Sequence, residues 1–406
     1  MRTFVVHDWL YTYAGSERVL ESILECFPAE RIFALVDFLA GPDRRFLRGI
    51  PVTTSFLQKM PLSRTQRRLY LPLMPLAVES LDVSAADLVI SSSAAIAKGV
   101  LTHGDQLHLC YCHSPARYAW DLTKDYLEPG GAWGTLKNAL AQAVFQYFRI
   151  WDATSASRVD HFIANSHYNA RRLRRFYGRG STVIYPPVDL AGFPLQENKE
   201  DFYVTVSRLV PYKKVDLIAA ACAQAGKRLL VVGNGPEMRK LQAFPRGQVE
   251  ILGYRPDHVV VDLVRRARAF IFAAREEFGI AAVEAQAAGT PVIAFGAGGA
   301  LETVRGVFPG EPPQPGSTGI FFREQKPSSL IEALEWFERC RDNIEPQACR
   351  NNSLRFDRRR FQQEFRQFVQ QKWEEFQAGG DSRRSPGPPS PSPANDPVMS
   401  RAEPRA

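Results

Sequence analysis

The most constraining feature of this sequence is an alternation of short apolar runs with longer amphipathic segments, which occurs twice and is interrupted once. Such alternation is typical of β-α units built around a parallel sheet. The interruption is the segment YPPVD at Tyr185–Asp189, where consecutive prolines remove backbone donors and fix φ. The sequence therefore predicts an α/β protein of two doubly wound domains, and 406 residues are enough for two cores.

Each apolar run predicts one strand of a sheet. In the first half the predicted strands are Thr3–His7, Arg31–Val36, Leu88–Ser91, Leu107–Cys112, His161–Ala164 and Thr182–Ile184. In the second half they are Tyr203–Ser207, Leu229–Val232, Glu250–Leu252, Ala269–Phe272 and Pro291–Ala294. Helices are predicted to begin near Ser16, Ser63, Thr135 and Ser166. The first domain is thus expected at residues 1–185 and the second at residues 186–352.

The carboxy-terminal region divides into an amphipathic part and a polar part. Residues 353–377 place Phe361, Phe365 and Trp373 near helical spacing, which predicts a final helix that returns to the first domain. Residues 378–406 are rich in proline, serine and glycine, and have too little apolar surface to order themselves. We expect a disordered tail there.

Charge and cysteine content narrow the class of protein. A formal net charge of +8 favours an acidic partner, which charge alone does not identify as nucleic acid, anionic lipid or a phosphorylated small molecule. The six cysteines are scattered, which favours free thiols in a reducing compartment. No run of about 18 uncharged apolar residues occurs, and the amino terminus does not resemble a signal peptide. These features predict a cytoplasmic protein.

The most informative motif is EEFGIAAVEAQAAG, which follows a predicted buried strand. Gly279 at the bend would leave the backbone N–H groups of Phe278, Gly279 and Ile280 at a helix N-terminus, where they favour a phosphate. Glu276 before the helix and Glu284 inside it suit sugar or ribose hydroxyls, because hydroxyls donate to carboxylates and phosphates are repelled. The alternative is a solvated acidic cap on a helix.

This motif resembles the Glu-x7-Glu signature of the family 4 retaining glycosyltransferases. The second half contains further matching blocks, namely VSRLVPYKKVD, VVGNGPE and GTPVIAFGAGGALE. The first half contains HDWL, AGSERVLE, CYCHSPARYAWD and NSHYNARRLRRFYG, which look like the subgroup of bacterial polysaccharide mannosyltransferases. The resemblance implies the GT-B fold, in which two Rossmann-like domains face each other across a cleft.

The resemblance also assigns roles in the second half. Arg208 and Lys213 would stabilise the departing diphosphate, in place of a divalent metal. Glu276 would hold the donor sugar and Glu284 the ribose. Lys214 stands where the family usually has glycine. No metal site and no cofactor are expected, and the chain lacks the Asp-x-Asp pair that holds a metal in the other major glycosyltransferase architecture.

The resemblance implies further donor-binding residues in both halves. Gly15 and Ser16 open a helix near the expected phosphate, although the family often has a second glycine at the position of Ser16. His113 matches a histidine that contacts the transferred sugar. Gly253 and Tyr254 match a segment whose backbone contacts the base. Cys110 and Cys112 beside His113 do not have the spacing of a usual zinc site.

The implied function is a retaining, metal-independent hexosyltransferase that uses a nucleotide-diphosphate sugar and a saccharide or lipid-linked acceptor. GDP-mannose is the expected donor, from the resemblance alone. Two alternatives stay open, a GT-B-like sugar-nucleotide epimerase and a non-catalytic nucleotide-binding or nucleic-acid-binding scaffold. The basic run RRLRRFYGR has a helical period, so a solvated helix face is favoured and no nucleic-acid partner is expected.

The segment Phe56–Ala77 mixes basic and apolar residues. This composition suits attachment to an anionic membrane surface, with basic side chains among the headgroups. The same apolar residues are also suited to packing against the sheet of the first domain, with the basic residues solvated. We therefore expect either peripheral membrane attachment or an ordinary packed segment.

Overall fold

A computed structural model describes residues 1–121, 132–245 and 247–383, and contains two parallel sheets of seven strands each. The first sheet has the strands β1 (Thr3–His7), β2 (Arg31–Ala34), β3 (Val52–Thr54), β4 (Leu88–Ser93), β5 (Leu107–Cys112), β6 (His161–Ala164) and β7 (Ser181–Val183). The second has β8 (Tyr203–Val206), β9 (Leu229–Val232), β10 (Val249–Gly253), β11 (Ala269–Phe272), β12 (Val292–Phe295), β13 (Gly306–Val307) and β14 (Gly319–Phe322).

Helices cover both sheets. In the first half they are α1 (Gly15–Cys26), α2 (Met74–Glu79), α3 (Arg117–Trp120), α4 (Ala132–Ser155) and α5 (His167–Tyr177). In the second half they are α6 (Val215–Gln224), α7 (Met238–Leu241), α8 (Asp257–Arg266), α9 (Ile280–Ala287), α10 (Ala300–Thr303), α11 (Pro327–Cys340), α12 (Pro346–Ser353) and α13 (Arg358–Arg383). Each sheet has a core on both of its faces.

The strand order of each sheet determines where a ligand can bind. The orders are β3-β2-β1-β4-β5-β6-β7 and β10-β9-β8-β11-β12-β14-β13, so the connection reverses between β1 and β4 and again between β8 and β11. In an open α/β sheet, ligands bind beyond the carboxyl ends of the strands at such a reversal. The loops after β1, β8 and β11 are therefore the expected positions of a ligand site.

The predicted fold class is confirmed, with differences in single elements. Five predicted strands, such as Leu107–Cys112, have the observed bounds, whereas β3, β13 and β14 were not predicted. These three strands have two to four residues each, too few for a clear pattern. The helix predicted near Ser63 is wrong. The region around it forms 3-10 turns, and α2 begins only at Met74, because Pro72 and Pro75 interrupt helical hydrogen bonding.

The last helix, α13, packs on the first domain. Phe361 and Phe365 lie in the same buried cluster as Val5 and Leu20, and Arg358 pairs with Glu25 at 2.6 Å. The helix continues to Arg383, beyond the predicted end at residue 377. The predicted disordered tail otherwise lies outside the described residues.

The segment Phe56–Ala77 divides its apolar residues between core and surface. Leu57, Met74 and Ala77 are buried, whereas the exposed leucines are Leu62, Leu69, Leu73 and Leu76. Packing against the sheet thus accounts for only part of this segment. Within the described residues, no helix has both the length and the hydropathy needed to cross a membrane.

Candidate functional site

Two glycine turns meet where the domains face each other. Gly15 begins α1 after β1, and a Cβ atom on it would lie 3.3 Å from Cδ1 of Ile280 in the other domain. Gly279 precedes α9 with φ of 89°, a left-handed conformation that favours glycine. The structure thus brings together Gly15, Gly279 and Ile280, and the N-terminus of α9 faces the cleft between the domains.

Glu276 lies in the loop before α9 beside two cations. Lys213 Nζ is 2.6 Å from Glu276 Oε1, and Arg117 Nη1 of the first domain is 3.9 Å from the same oxygen. Burial alone would raise the pKa of Glu276, but attraction to Lys213, Arg117 and Arg208 outweighs it, so the pKa lies below its ordinary value. Glu276 is therefore an ionised hydrogen-bond acceptor at neutral pH.

The GAGG loop after β12 packs against the backbone of Glu276 and donates a hydrogen bond to it. Gly299 N–H donates to the Glu276 carbonyl at 2.7 Å. Any Cβ on Gly299 would collide with the Glu277 carbonyl and the Phe278 backbone, which fixes glycine at this position. Phe278 itself is buried in the core between Tyr185 and Phe356, so its side chain has a packing role.

The loop after β8 supplies the other predicted cations. Arg208 is exposed and donates to the Tyr212 hydroxyl at 3.2 Å, and Lys213 ends a 3-10 turn. Lys214 has φ of 55°, the left-handed region that glycine adopts without strain. This conformation gives a physical reason for the glycine that the family usually has there.

A second tight contact places the VVGNGPE turn against this loop. Any Cβ on Gly233 or Gly235 would collide with the carbonyl oxygens of Ser207 and Leu209. The Gly233 N–H also donates to the Gly253 carbonyl at 2.9 Å. The turn after β9 and the loop after β8 therefore form one rigid wall beside Arg208.

A cavity of about 680 Å³ lies between α1 and the second domain. Arg208, Tyr254 and Glu284 line it, whereas Glu276, Lys213 and His113 do not. Arg18 of α1 forms an ion pair with Glu284 across the cavity. Burial raises the pKa of Glu284, and attraction to Arg18 only partly offsets this. The cavity has the size of a small-molecule site, and its wall combines apolar surface with charged side chains of both signs.

His113 follows β5 at the cleft side of the first domain. Its Nε2 lies 2.8 Å from Ser92 Oγ, and its carbonyl accepts from Asn165 at 2.9 Å. Burial, with a smaller effect from His7, lowers the pKa of His113 to about 3, so the ring is neutral. The Ser16 hydroxyl donates to Glu17 Oε2 at 3.0 Å.

Charged residues that the sequence did not single out connect the two domains. Arg117 Nη1 lies 3.5 Å from Glu277 and stacks on Tyr212, with 4.6 Å from its guanidinium carbon to the ring centroid. Arg172 Nε lies 3.7 Å from Glu277. Each pair joins residues at least 95 positions apart, so no local pattern indicates it. The sequence contained one indirect indication, since Arg117 and Arg172 lie in the quoted blocks CYCHSPARYAWD and NSHYNARRLRRFYG.

Glu302 makes a further contact between the domains. Its carboxylate accepts from the backbone N–H groups of His167 and Tyr168, at 2.8 and 2.7 Å, at the first turn of α5. A carboxylate at the N-terminus of a helix also interacts favourably with the helix dipole. The first domain thus contacts the signature loop and the loop behind it at several points.

Two sequence families match the chain. The family described as Glycosyltransferase Family 4 matches residues 13–191, and the family described as Glycosyl transferases group 1 matches residues 192–355. The D-inositol 3-phosphate glycosyltransferases of Mycobacterium tuberculosis (strain ATCC 25618 / H37Rv) and Mycobacterium bovis (strain ATCC BAA-935 / AF2122/97) are 32% identical over 176 residues. That match covers 36% of this chain and 36% of each relative, so the chain spans about a third of their length.

Solved structures share the overall fold. Anabaena HepE in complex with UDP-glucose has a TM-score of 0.64 at 19% identity, over 91% of this chain and 100% of that one. Sucrose-phosphate synthase from Thermosynechococcus elongatus has a TM-score of 0.66 at 17% identity, over 93% of this chain and 100% of that one. At these identities the likeness establishes the architecture of two facing domains.

Proposed function

The chain has the GT-B fold and combines a Glycosyltransferase Family 4 domain with a Glycosyl transferases group 1 domain, and on this premise we propose that it transfers a hexose from a nucleotide-diphosphate sugar. The proposed acceptor is a saccharide or a lipid-linked saccharide. The observation that carries the proposal is the convergence of Lys213, Glu276 and the N-terminus of α9 opposite Gly15. This arrangement offers cations and backbone donors to a diphosphate, and a carboxylate to sugar hydroxyls.

The cavity suits the nucleoside part of the donor. We assign Glu284 to the ribose hydroxyls, with Gly253 and Tyr254 at the base, because Glu284 and Tyr254 line one cavity. Arg208 lines the same cavity, and we assign it to the diphosphate, since a guanidinium binds phosphate well. Glu276 then belongs to the sugar.

The proposed reaction retains the anomeric configuration. The acceptor hydroxyl attacks the anomeric carbon from the face that the diphosphate leaves, and the bond between that carbon and the diphosphate oxygen breaks. The departing phosphate takes the proton of the hydroxyl. Arg208, Lys213 and the α9 N-terminus would stabilise the negative charge that develops on the phosphate, and we therefore propose catalysis without a metal.

GDP-mannose is the donor that we propose from the sequence resemblance. Asp257 at the cavity wall supports guanine, because a carboxylate accepts two hydrogen bonds from the N1–H and N2–H groups of guanine and only one from uracil. The solved complex of HepE with UDP-glucose supplies the competing donor. Direct comparison of the two nucleotides decides between them.

We also propose peripheral attachment to the cytoplasmic face of a membrane. The exposed leucines of Phe56–Ala77 support it, and the turn Arg67–Leu73 packs against α4, where Leu140 and Ile150 are also exposed. Lys59 and Arg64 are basic residues of the same segment, and each such charge near an anionic surface adds roughly 1 kcal/mol of attraction. Six free cysteines fit a cytoplasmic location.

An arginine substitution tests the assigned chemistry. Arg208→Ala should lower kcat by about 100-fold, with a smaller change in KM, because the cation acts mostly on charge that develops as the phosphate leaves. The matched control is Arg239→Ala, which removes an exposed arginine from α7 of the same domain. Normal turnover by a folded Arg208→Ala enzyme would sink the assignment.

A further inference from the structure

A continuous chain of four buried or partly buried polar side chains leads into the first domain from His113. Ser92 Oγ lies 2.8 Å from His113 Nε2 and 3.1 Å from His7 Nδ1. His7 Nε2 lies 3.4 Å from Glu17 Oε1. His7, Glu17 and Ser92 are each at most 4% exposed, so water does not interrupt the chain. The chain joins β1, α1, β4 and the end of β5.

Glu17 fixes the direction of the hydrogen bond that it shares with His7. Its other oxygen, Oε2, accepts from the Ala14 N–H at 3.1 Å and from the Ser16 hydroxyl at 3.0 Å. Burial would raise the pKa of Glu17, but its bonds to His7 and to neighbouring donors lower it overall, so it is ionised. An ionised carboxylate only accepts, and therefore His7 must donate from Nε2.

The number of protons on each group determines where the protons of His7, Ser92 and His113 lie. A His7 that carries one proton, on Nε2, has a bare Nδ1, which can only accept from the Ser92 hydroxyl. Ser92 donates its one hydroxyl proton to His7 Nδ1, so its oxygen must accept from His113 Nε2–H. His113 is neutral, so its Nδ1 is left without a proton. Among the described residues, the structure gives His113 Nδ1 no hydrogen-bond partner.

We infer that Glu17, His7 and Ser92 are positioning residues that hold His113 in the tautomer with a bare Nδ1, and that this nitrogen accepts a hydrogen bond from a hydroxyl of the transferred sugar. This inference rests on the proposed function for its ligand and on hydrogen-bond geometry for its tautomer. A bare nitrogen attracts a hydroxyl and repels a carboxylate, which has no proton to donate. A hexuronate carries a carboxylate at C6 in place of the hydroxyl, so a bond to the C6 hydroxyl would select a neutral hexose over the corresponding hexuronate.

The tautomer is measurable without substrate. The full chain, labelled with ¹⁵N-histidine, contains seven histidines, and long-range ¹H–¹⁵N correlation at pH 8 distinguishes a protonated from a bare ring nitrogen. His113→Gln assigns the resonance. We expect His113 with a proton on Nε2 and a bare Nδ1. Ser92→Ala removes the acceptor of that proton, so the variant should show a mixture of both tautomers.

Ser91→Ala is the matched control. Ser91 lies next to Ser92 on β4, is equally buried, and bonds His108 Nε2 at 2.8 Å in a pair that does not reach His113. This variant loses a buried serine–histidine bond, yet it should leave the His113 signal and the kinetics unchanged. A general loss of stability would affect both variants alike, which separates folding from positioning.

Kinetics give the second readout. The preference for a nucleotide hexose over the matching nucleotide hexuronate, measured as a ratio of kcat/KM, should fall about fivefold in Ser92→Ala and stay constant in Ser91→Ala. His113 with its proton on Nδ1, or an unchanged tautomer in Ser92→Ala, would overturn the inference. A chain that transfers no sugar but shows the expected tautomers would refute the proposed function and leave the positioning role intact.

Discussion

The ion pair between Arg18 and Glu284 leads to a prediction that separates two roles for Arg18. In the structure, Arg18 of the first domain occupies the carboxylate that we assign to the ribose. Ribose hydroxyls that donate to Glu284 Oε1 therefore compete with the guanidinium for this oxygen. Replacing Arg18 by methionine keeps most of the apolar stem of the side chain and removes this competitor, so nucleotide binding should become tighter.

The size of the effect follows from the exposure of the pair. A hydrogen bond between charged groups contributes about 1.5–3 kcal/mol when buried, and an exposed ion pair contributes about 0.2–1 kcal/mol. The Arg18 side chain is 32% exposed and that of Glu284 is 15% exposed, so the pair lies between these cases. A value of about 1 kcal/mol corresponds to a dissociation constant that is lower by roughly fivefold.

Isothermal titration of the nucleoside diphosphate measures this change directly. The control is Arg358→Met, which removes a positive charge from the same cavity wall but breaks the contacts of Arg358 with Glu21 and Glu25, leaving Glu284 paired. Tighter binding should appear with Arg18→Met alone. Weaker binding by Arg18→Met than by Arg358→Met would show that Arg18 contacts the nucleotide itself, and would refute the competition.

Three further predictions test separate parts of the account. Activity should survive EDTA, because cations and a helix N-terminus stabilise the leaving phosphate; complete loss that magnesium restores would contradict this. GDP should bind more tightly than UDP in calorimetry, and Asp257→Asn should reduce that preference, whereas a wild-type preference for UDP would end the guanine proposal. Anionic but not zwitterionic vesicles should sediment the protein in a salt-sensitive manner, and the double variant Leu69→Ser, Leu76→Ser should bind less. The control is Leu354→Ser, at an exposed leucine of the turn before α13; equal binding by this control and by the double variant would remove this surface from consideration.

The sequence predicted the architecture because the two sheets have strong local signals. Buried parallel strands such as Leu107–Cys112 are apolar runs, and the prolines after Tyr185 separate the two halves. The short strand β3 and the turns around Ser63 were missed or mispredicted, since neither has a clear period. The left-handed backbone at Lys214 was not predicted, because lysine rarely adopts this conformation.

The candidate site was predictable where its residues lie close together in one sequence motif. Gly279 and Glu276 are three positions apart, and a turn before a helix places both at the cleft. Contacts between domains were not predictable in this way. Arg18 and Glu284 are 266 positions apart, and only the folded arrangement of the two sheets makes them neighbours. The chain from Glu17 to His113 was missed for the same reason, because it joins four elements of the first domain.

The central claim is glycosyl transfer from a nucleotide sugar, and product analysis of a panel of sugar nucleotides tests it most directly. The enzyme is incubated with GDP-hexoses and UDP-hexoses, with and without candidate saccharide acceptors, and chromatography identifies the nucleotide and the sugar. A transferase should release nucleoside diphosphate slowly from one donor, an acceptor should accelerate the release, and Glu276→Gln should abolish both. An isomerised donor would identify an epimerase, and a panel that stays unchanged would identify a binding protein; either result would contradict the claim.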